Sequence, residues 1–153
     1  MKTKKSQIYL ALALIWVVFA SFSFVAANSP DAIVGTWLTG NKKGKIQIYK
    51  EGSKYFGKLS WIDEPNDPKT NRPKVDNNNP DPKKRNQPLL GLVNMHDFRF
   101  DGADVWGSGK IYDPESGKLY SCKMTLRSQN TLDVRGYVGI SLIGRTDTWQ
   151  RVK

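Results

Sequence analysis

Apolar and polar residues alternate along most of the chain from residue 33 onward, in short segments separated by turn residues. In the clearest segment, 119–127, the residues Tyr120, Cys122, Met124 and Leu126 alternate with polar residues. This period of two is typical of β-strands that bury one face. No segment keeps the 3.6-residue apolar period of an amphipathic helix over a helix-length window. The pattern therefore predicts an all-β protein.

Turns rich in Gly, Asn and Asp divide the pattern into eight predicted strands, over 33–38, 46–50, 55–61, 89–95, 106–112, 119–127, 131–138 and 144–152. Strands joined by short turns pair antiparallel. Eight of them in up-and-down order close into a barrel, which removes both sheet edges and encloses either packed side chains or one small ligand. We therefore expect an eight-stranded antiparallel up-and-down barrel, with a two-sheet sandwich as the alternative.

The segment 63–88 interrupts the alternation. It contains six of the eight prolines and six asparagines, a density that predicts neither a strand nor a helix. The stretch 76–81 resembles a calcium loop in composition, but it lacks the glycine and the closing acidic residue that such loops need. We expect its Asx side chains to bind their own backbone, and we expect no metal. The long loop is predicted to fold over the barrel mouth as a lid.

The first 27 residues have a different pattern. Lys2, Lys4 and Lys5 precede an apolar run over 8–24, and small residues at 25–27 precede Asn28. This is the three-part pattern of a secretory signal peptide. We predict a signal peptide over 1–27, a single barrel domain over 28–153, and a periplasmic or secreted protein. The alternative is an uncleaved anchor.

The net charge and the scarcity of cysteine and histidine restrict the possible partners and sites. The net charge is +10, and it falls to +7 when the three signal lysines are removed. The excess of positive charge favours anionic partners, such as an envelope lipid. The alternative is that the additional lysines only keep the surface solvated. Export argues against nucleic acid, and we expect the domain not to span the membrane. One cysteine and one histidine exclude a disulfide framework and multi-histidine metal sites, and no cofactor or catalytic residue is predicted.

The alternation also predicts which side chains face the barrel interior. We expect a ligand cavity lined by Tyr55, Leu59 and Trp61 on the third strand and by Tyr120 and Met124 on the sixth. Gly57 and Gly136, on inward phases, are expected to leave room. Cys122 is expected to be a small buried hydrophobe, with intermolecular pairing as the alternative. A completely filled barrel is the competing interpretation.

The last strand places Arg145, Asp147, Trp149 and Arg151 on one face. If this face points inward, an Arg145–Asp147 unit at the mouth would anchor a carboxylate or a phosphate. The alternative is an outward charged stripe or a purely structural pair. His96 and Asp97 have no nucleophile at a recognisable motif spacing, and we expect His96 to be structural.

The chain also resembles two known groups of proteins. Gly35-Thr36-Trp37 resembles the Gly-x-Trp signature of lipocalins, and Arg151 lies where those proteins place an arginine across the tryptophan. We expect Trp37 and Arg151 to close one end of the barrel. A more extensive resemblance is to the bacterial domain-of-unknown-function family 2147. The positions that resemble it are Asp76, 79–81, Arg85, 88–92, 111–114, Gly117, Tyr120, Leu132, 135–137, Gly144, Arg145, Trp149 and Arg151.

This resemblance implies an exported bacterial protein with a lipocalin-like barrel and no assigned activity. Our first hypothesis is a non-enzymatic binding protein for a small hydrophobic or amphipathic, anionic ligand. The alternative is an envelope or protein-interaction module with a filled barrel, acting through 63–88 and its basic surface. An enzyme built on the same barrel is a third hypothesis. It requires polar groups that converge in the cavity.

Overall fold

Alternating segments bounded by Gly and Asp turns form one continuous antiparallel sheet. A computed structural model describes residues 28–152. The strands are β1 (Gly35–Leu38), β2 (Gly44–Glu51), β3 (Lys54–Ile62), β4 (Val93–Gly102), β5 (Val105–Asp113), β6 (Lys118–Ser128), β7 (Thr131–Tyr137) and β8 (Gly144–Arg151). The predicted signal peptide, 1–27, lies outside the described residues, so it stays a prediction.

Each strand pairs antiparallel with its neighbour, and the sheet closes into a barrel. Closure occurs between β1 and β8, where Trp37 lies opposite Arg151. The prediction of an eight-stranded up-and-down barrel is confirmed, and the sandwich alternative is wrong. Because β1 and β8 pair, the described sheet has no free edge that invites aggregation.

A short 3₁₀ helix over Pro30–Ile33 covers one end of the barrel. The indole of Trp37 donates a 2.8 Å hydrogen bond to the carbonyl of Ile33, and that of Trp106 donates a 2.9 Å bond to the carbonyl of Pro30. The short helix therefore acts as a plug, and Ile33 belongs to it. For this reason β1 begins two residues later than the predicted first strand, 33–38. Its side chain is fully buried.

Arg151 fixes the plug to the barrel. Its guanidinium lies 4.2 Å from the centroid of the Trp37 ring. The same side chain donates hydrogen bonds to the carbonyls of Ala32, Val34 and Gln129, at 2.5, 2.9 and 2.6 Å. The placement expected for Trp37 and Arg151 is thus observed. The guanidinium satisfies carbonyls at this end that would otherwise have no partner within the plug.

The closed half of the barrel is filled with large side chains. Those that are buried there include Ile33, Trp37, Tyr55, Phe98, Trp106, Met124, Leu126 and Leu132. Glycine is required where rings approach the backbone, since a Cβ on Gly109 would clash with the ring of Phe98. The hydroxyl of Tyr55 donates a 2.6 Å bond to Asp31 on the plug. Half of the interior is therefore core.

The predicted fourth strand, 89–95, is displaced in the structure. β4 begins at Val93 and continues to Gly102, so the predicted Asp101-Gly102 turn moves to Ala103 and Asp104. Residues 89–92 form a turn instead, with Gly91 at a φ of 90°. The apolar run in that turn does not alternate, and for this reason the period-of-two pattern misplaced the strand.

The 63–88 segment packs beside the barrel and does not cover its mouth. It contains two isolated β-bridges and a three-residue 3₁₀ turn, Pro82–Lys84, so the expectation of no helix was wrong for that one turn. Asp76 is fully buried and accepts hydrogen bonds from the Tyr112 hydroxyl and the Asn79 amide, at 2.8 and 2.6 Å. The predicted Asx turns are present, since Asn79 and Asp81 side chains accept backbone N–H bonds.

Candidate ligand-binding site

A cavity of about 610 Å³ occupies the other half of the barrel. It opens between the β1–β2, β5–β6 and β7–β8 connections. The apolar side chains that line it are Ile46, Leu59, Ile111, Val134, Val138, Ile143 and Trp149. No residue of 63–88 lines it, so the lid prediction is wrong for this structure. A concave, mostly apolar space with a few polar groups is the usual form of a small-molecule site.

Two inward-facing glycines mark where packing stops. A Cβ on Gly57 would lie 2.9 Å from both Ile46 Cγ2 and Met95 Sδ, so that position is already filled. A Cβ on Gly136 would lie 3.8 Å from Ile111 Cγ2, an ordinary van der Waals distance, and Gly136 lines the cavity. The expectation of room at both glycines is wrong for Gly57 and right for Gly136. The floor of the cavity thus lies near Met95.

Asn94 is a buried polar side chain in the cavity wall. It is only 7% exposed, and its amide nitrogen donates a 3.5 Å hydrogen bond to the carbonyl of Tyr112. Among the described residues, its Oδ1 atom has no hydrogen-bond partner. A buried acceptor without a partner is costly, by about 1–3 kcal/mol, and therefore indicates a place where a bound molecule gains from donating a hydrogen bond.

Arg145 is the basic residue of the cavity lining, and it lies exposed at the mouth. Within residues 28–152 it forms neither an ion pair nor a side-chain hydrogen bond. It faces Gly136 across the β7–β8 pair, where no side chain shields it. A guanidinium in this state has five free donors for a carboxylate or a phosphate.

Asp147 does not pair with Arg145, contrary to the expected unit. Its Oδ2 atom accepts a 2.7 Å bond from the Trp149 indole and a 3.2 Å bond from the backbone N–H of Gly40. These bonds fasten the β1–β2 turn to the inner wall. Asp147 is therefore a structural acceptor, and Arg145 is left without an intramolecular counter-ion among the described residues.

The structure divides the predicted ligand-binding residues into three groups. Leu59, Tyr120 and Arg145 line the cavity. Tyr55 and Met124 face inward, but they belong to the filled closed half, where Met124 lies opposite Trp106. Their assignment to the cavity is therefore corrected, because the large residues of the plug end occupy the space around them.

Trp61 lies on the outer wall, which corrects its predicted inward position. A register shift places Leu59 opposite Ile46 but Trp61 opposite Lys45. The extra residue is a β-bulge, which reverses the side-chain phase beyond it. The Trp61 ring is 37% exposed, and the ammonium of Lys45 lies 5.0 Å from its centroid.

Sequence reasoning did not assign several lining residues to the site. Val134 and Ile46 alternate clearly, and extending the inward stripe to their strands would have found them. Trp149 was placed on one face with Arg145, Asp147 and Arg151, but the direction of that face was left open and Trp149 was not assigned to the cavity. Asn94 gave no signal, because it lies in a part of the sequence where the predicted strand was misplaced.

Cys122 belongs to the buried core, and His96 packs against an aromatic ring. Cys122 is fully buried, which contradicts the alternative of intermolecular pairing. Burial raises the pKa of its thiol to about 12, so it stays protonated at neutral pH. His96 packs edge-on against the Phe56 ring, with centroids 6.4 Å apart. Over residues 28–152, no three His, Cys, Asp or Glu side chains are grouped so that they could hold a metal.

Comparisons with known proteins agree with this architecture. The family model described as "Uncharacterized protein conserved in bacteria (DUF2147)" matches residues 35–151. A solved structure, protein HP1028 of Helicobacter pylori, which is described as belonging to the lipocalin family, is similar with a TM-score of 0.69 and 23% identity. The similarity covers 79% of this chain and 83% of that chain. A search of curated proteins finds no match. In the part of the chain that is described, no helix has the length and hydropathy needed to cross a membrane.

Proposed function

Since the chain belongs to the bacterial family DUF2147, we propose that it is an exported, non-enzymatic protein that binds a small amphipathic, anionic molecule in the open half of its lipocalin-like barrel. The observation that carries this proposal is the cavity of about 610 Å³, which has an apolar wall and, at its mouth, the Arg145 guanidinium without a partner among the described residues. An apolar portion of the ligand would occupy the interior. Its charged group would remain near solvent.

The polar groups indicate the chemistry of the ligand. Arg145 is placed to bind a carboxylate or a phosphate, and Asn94 to accept a hydrogen bond from a hydroxyl or an amide. Asp113 and Glu115 also line the mouth. Asp113 already accepts bonds from the Glu115 N–H and the Ser116 hydroxyl. The Arg145 guanidinium, by contrast, has all five of its donors unused among the described residues.

The cavity wall favours binding over catalysis. Tyr112 is the lining residue with a strongly shifted pKa, which desolvation and the hydrogen bond to Asp76 raise to about 12. Its proton is therefore held at neutral pH, and its hydroxyl is already directed at Asp76. Tyr112 is therefore not available as a general acid or base toward a bound molecule.

Export is supported by the sequence of residues 1–27, with its basic start, apolar run and small-residue exit. The ligand would then be a molecule of the periplasm or of the cell exterior. An envelope lipid or its breakdown product has the required amphipathic chemistry.

The proposal can be tested by titrating a fluorescent fatty acid into the protein. Replacing Arg145 by Gln is expected to weaken binding by about tenfold, because a hydrogen-bonded charge of this kind contributes about 1.5–3 kcal/mol and this one is partly in solvent. Since Arg145 has no intramolecular partner among the described residues, the thermal midpoint of unfolding should not change.

Two control variants make the titration specific. Glu115→Gln removes the opposite charge from the same rim and should maintain or raise affinity. Arg99→Gln removes a cation from the exposed outer face of β4 and should have no effect. Equal affinity of Arg145→Gln and wild type, or weaker binding in Glu115→Gln, would contradict an anionic ligand at Arg145.

A further inference from the structure

The β7–β8 connection presents an unusual group of exposed apolar side chains. Val138, Ile140, Leu142 and Ile143, here called the apolar tip, are 60–85% exposed. Scattered exposed aliphatic residues are normal on a protein surface, but four within six positions form a contiguous patch. The patch is convex, because it lies on a turn between two strands.

Hydrogen bonds from Arg135 hold the apolar tip in place. Its guanidinium donates to the carbonyls of Ser141 and Leu142, at 2.7 and 3.1 Å, and to the hydroxyl of Thr146 at 2.9 Å. The Ile143 N–H also donates to the carbonyl of Ile140, at 3.1 Å. The loop therefore has a defined conformation in which these three carbonyls are hydrogen-bonded while the aliphatic side chains are exposed to solvent.

Basic residues flank the apolar tip on one side. Arg145 lies two residues after the last residue of the tip. The β1–β2 turn with Lys42 and Lys43 lies next to β8, to which the Gly40–Asp147 bond fastens it. All three basic residues are exposed. On the other flank, Asp113 ends β5 and Glu115 lies in the turn between β5 and β6. The charge around the tip is thus asymmetric, positive toward the β1–β2 turn and negative toward the β5–β6 turn.

We propose that the apolar tip inserts into the interface of an anionic phospholipid bilayer, with Lys42, Lys43 and Arg145 at the level of the headgroups. Aliphatic side chains with adjacent cations are the combination that binds peripheral proteins to such surfaces. Because Val138 and Ile143 also line the cavity, insertion would turn the cavity mouth toward the bilayer. The insertion itself does not depend on the proposed ligand.

The shape and composition of the tip favour a bilayer over a protein partner. Protein interfaces concentrate aromatic and arginine anchors in complementary pockets, whereas this tip is a convex group of aliphatic residues without an aromatic ring. The positive charge of the domain, +7 without the predicted signal peptide, matches an anionic surface.

The test uses the protein without residues 1–27, because the apolar run over 8–24 would bind vesicles by itself. Residues 35–151 contain all eight strands of the closed barrel. An environment-sensitive fluorophore is attached in a Leu142→Cys variant. Cys122 is buried and therefore protected from the labelling reagent. As a control, wild type treated with the same reagent should remain unlabelled. Vesicles of phosphatidylcholine containing phosphatidylglycerol should shift the emission to shorter wavelength, and pure phosphatidylcholine should shift it less.

Leu90 provides a matched position, since it is 52% exposed and lies in the β3–β4 connection, on the opposite side of the barrel rim. A label in a Leu90→Cys variant should not respond to either vesicle. In cosedimentation, replacing Ile140 and Leu142 together by Ser should weaken vesicle binding by about tenfold or more, whereas Leu90→Ser should bind like wild type. Circular dichroism checks that each variant is folded.

Several results would overturn the proposal. They are no emission shift at position 142, equal shifts at positions 142 and 90, or equal binding to neutral and anionic vesicles. A tip-dependent dimer without a vesicle response would assign the tip to a second copy of the chain instead. A Gly136→Phe variant, which fills the cavity, should still bind vesicles, so a failure of the ligand proposal is distinguishable from a failure of this one.

Discussion

Individual side chains determine how the barrel is closed. Arg151 combines a cation–π contact to Trp37 with hydrogen bonds to three carbonyls. These contacts join the plug, β1 and the β6–β7 turn. Only the planar guanidinium has enough donors in the right directions for all of them.

Replacing Arg151 by Ala is expected to lower the free energy of unfolding by about 2–4 kcal/mol, because charged hydrogen bonds and the cation–π contact are lost together. Arg151→Lys preserves the charge but not the planar set of guanidinium donors, so it should restore less than half of the lost free energy of unfolding. Urea unfolding measures both variants. A Lys variant as stable as wild type would show that the charge alone matters.

Burial of Cys122 predicts a loss of stability at high pH. Desolvation raises the pKa of its thiol from 9.0 to about 12 in the folded state. Between these values the folded state binds more protons than the unfolded state, so stability falls as pH rises through this window. The loss reaches about 4 kcal/mol at most, and Tyr112 adds to it above pH 10.

This pH dependence is measured by urea unfolding under reducing conditions from pH 8 to 11. In Cys122→Ala the free energy of unfolding should fall less steeply with pH than in wild type. Identical slopes in the two proteins would mean that the thiol ionises as readily in the folded state as in the unfolded chain.

At this scale the sequence predicted side-chain direction well until the backbone became irregular. Alternation placed Leu59, Tyr120 and Arg145 at the interior correctly. It failed at Trp61, because one bulged residue reverses the phase and no local sequence signal marks that bulge. Tyr55 and Met124 faced inward as predicted. Whether they meet a ligand or a neighbour depended on Trp106 and the plug, which are remote in sequence.

Among the elements, the 63–88 segment differs most from its prediction. Its prolines and asparagines predicted neither a strand nor a helix, which is right except for the 3₁₀ turn over Pro82–Lys84. Its position was not predictable, because it depends on the contact between Asp76 and Tyr112, which is long-range. Two further hydrogen bonds, from Asn78 to the Pro114 and Glu115 carbonyls, dock the segment against the β5–β6 turn.

Asp76→Ala is expected to release this segment without opening the barrel. The Tyr112 hydroxyl and the Asn79 amide lose their acceptor, at a cost of about 1–3 kcal/mol. Hydrogen exchange should become faster over 63–88 and stay slow in β2 and β6. Tyr112→Phe removes one of the two bonds and should have a smaller effect. Unchanged exchange over 63–88 in Asp76→Ala would show that other contacts position the segment.

In the molecule as a whole, the two halves of the barrel have different roles. The plug, Trp37 and Trp106 fill one half, and the other half contains the cavity. Strand number and turn spacing were sufficient to predict the closed barrel. They were not sufficient to predict the asymmetry of its interior, because that depends on which large residues meet across the barrel.

Gly136 allows the role of the cavity to be tested without disturbing the core. A Cβ there meets no atom closer than 3.8 Å, so Gly136→Phe should fold and place its ring in the cavity. Gly57→Ala is the contrast, because its Cβ would contact Ile46 and Met95 at 2.9 Å. It should reduce stability by about 1–3 kcal/mol. If Gly57→Ala were as stable as wild type, the floor of the cavity would be looser than described.

The most direct measurement is native mass spectrometry of protein that is exported to the periplasm and purified without detergent, compared for wild type and Gly136→Phe. Gln150→Phe, which places the same ring on the exposed outer face of β8, is the matched control. Wild type and Gln150→Phe should have an additional mass that disappears on denaturation, and Gly136→Phe should lack it. An additional mass that persists in Gly136→Phe, or a wild-type protein that has none and takes up no fluorescent fatty acid, would contradict a ligand in the cavity.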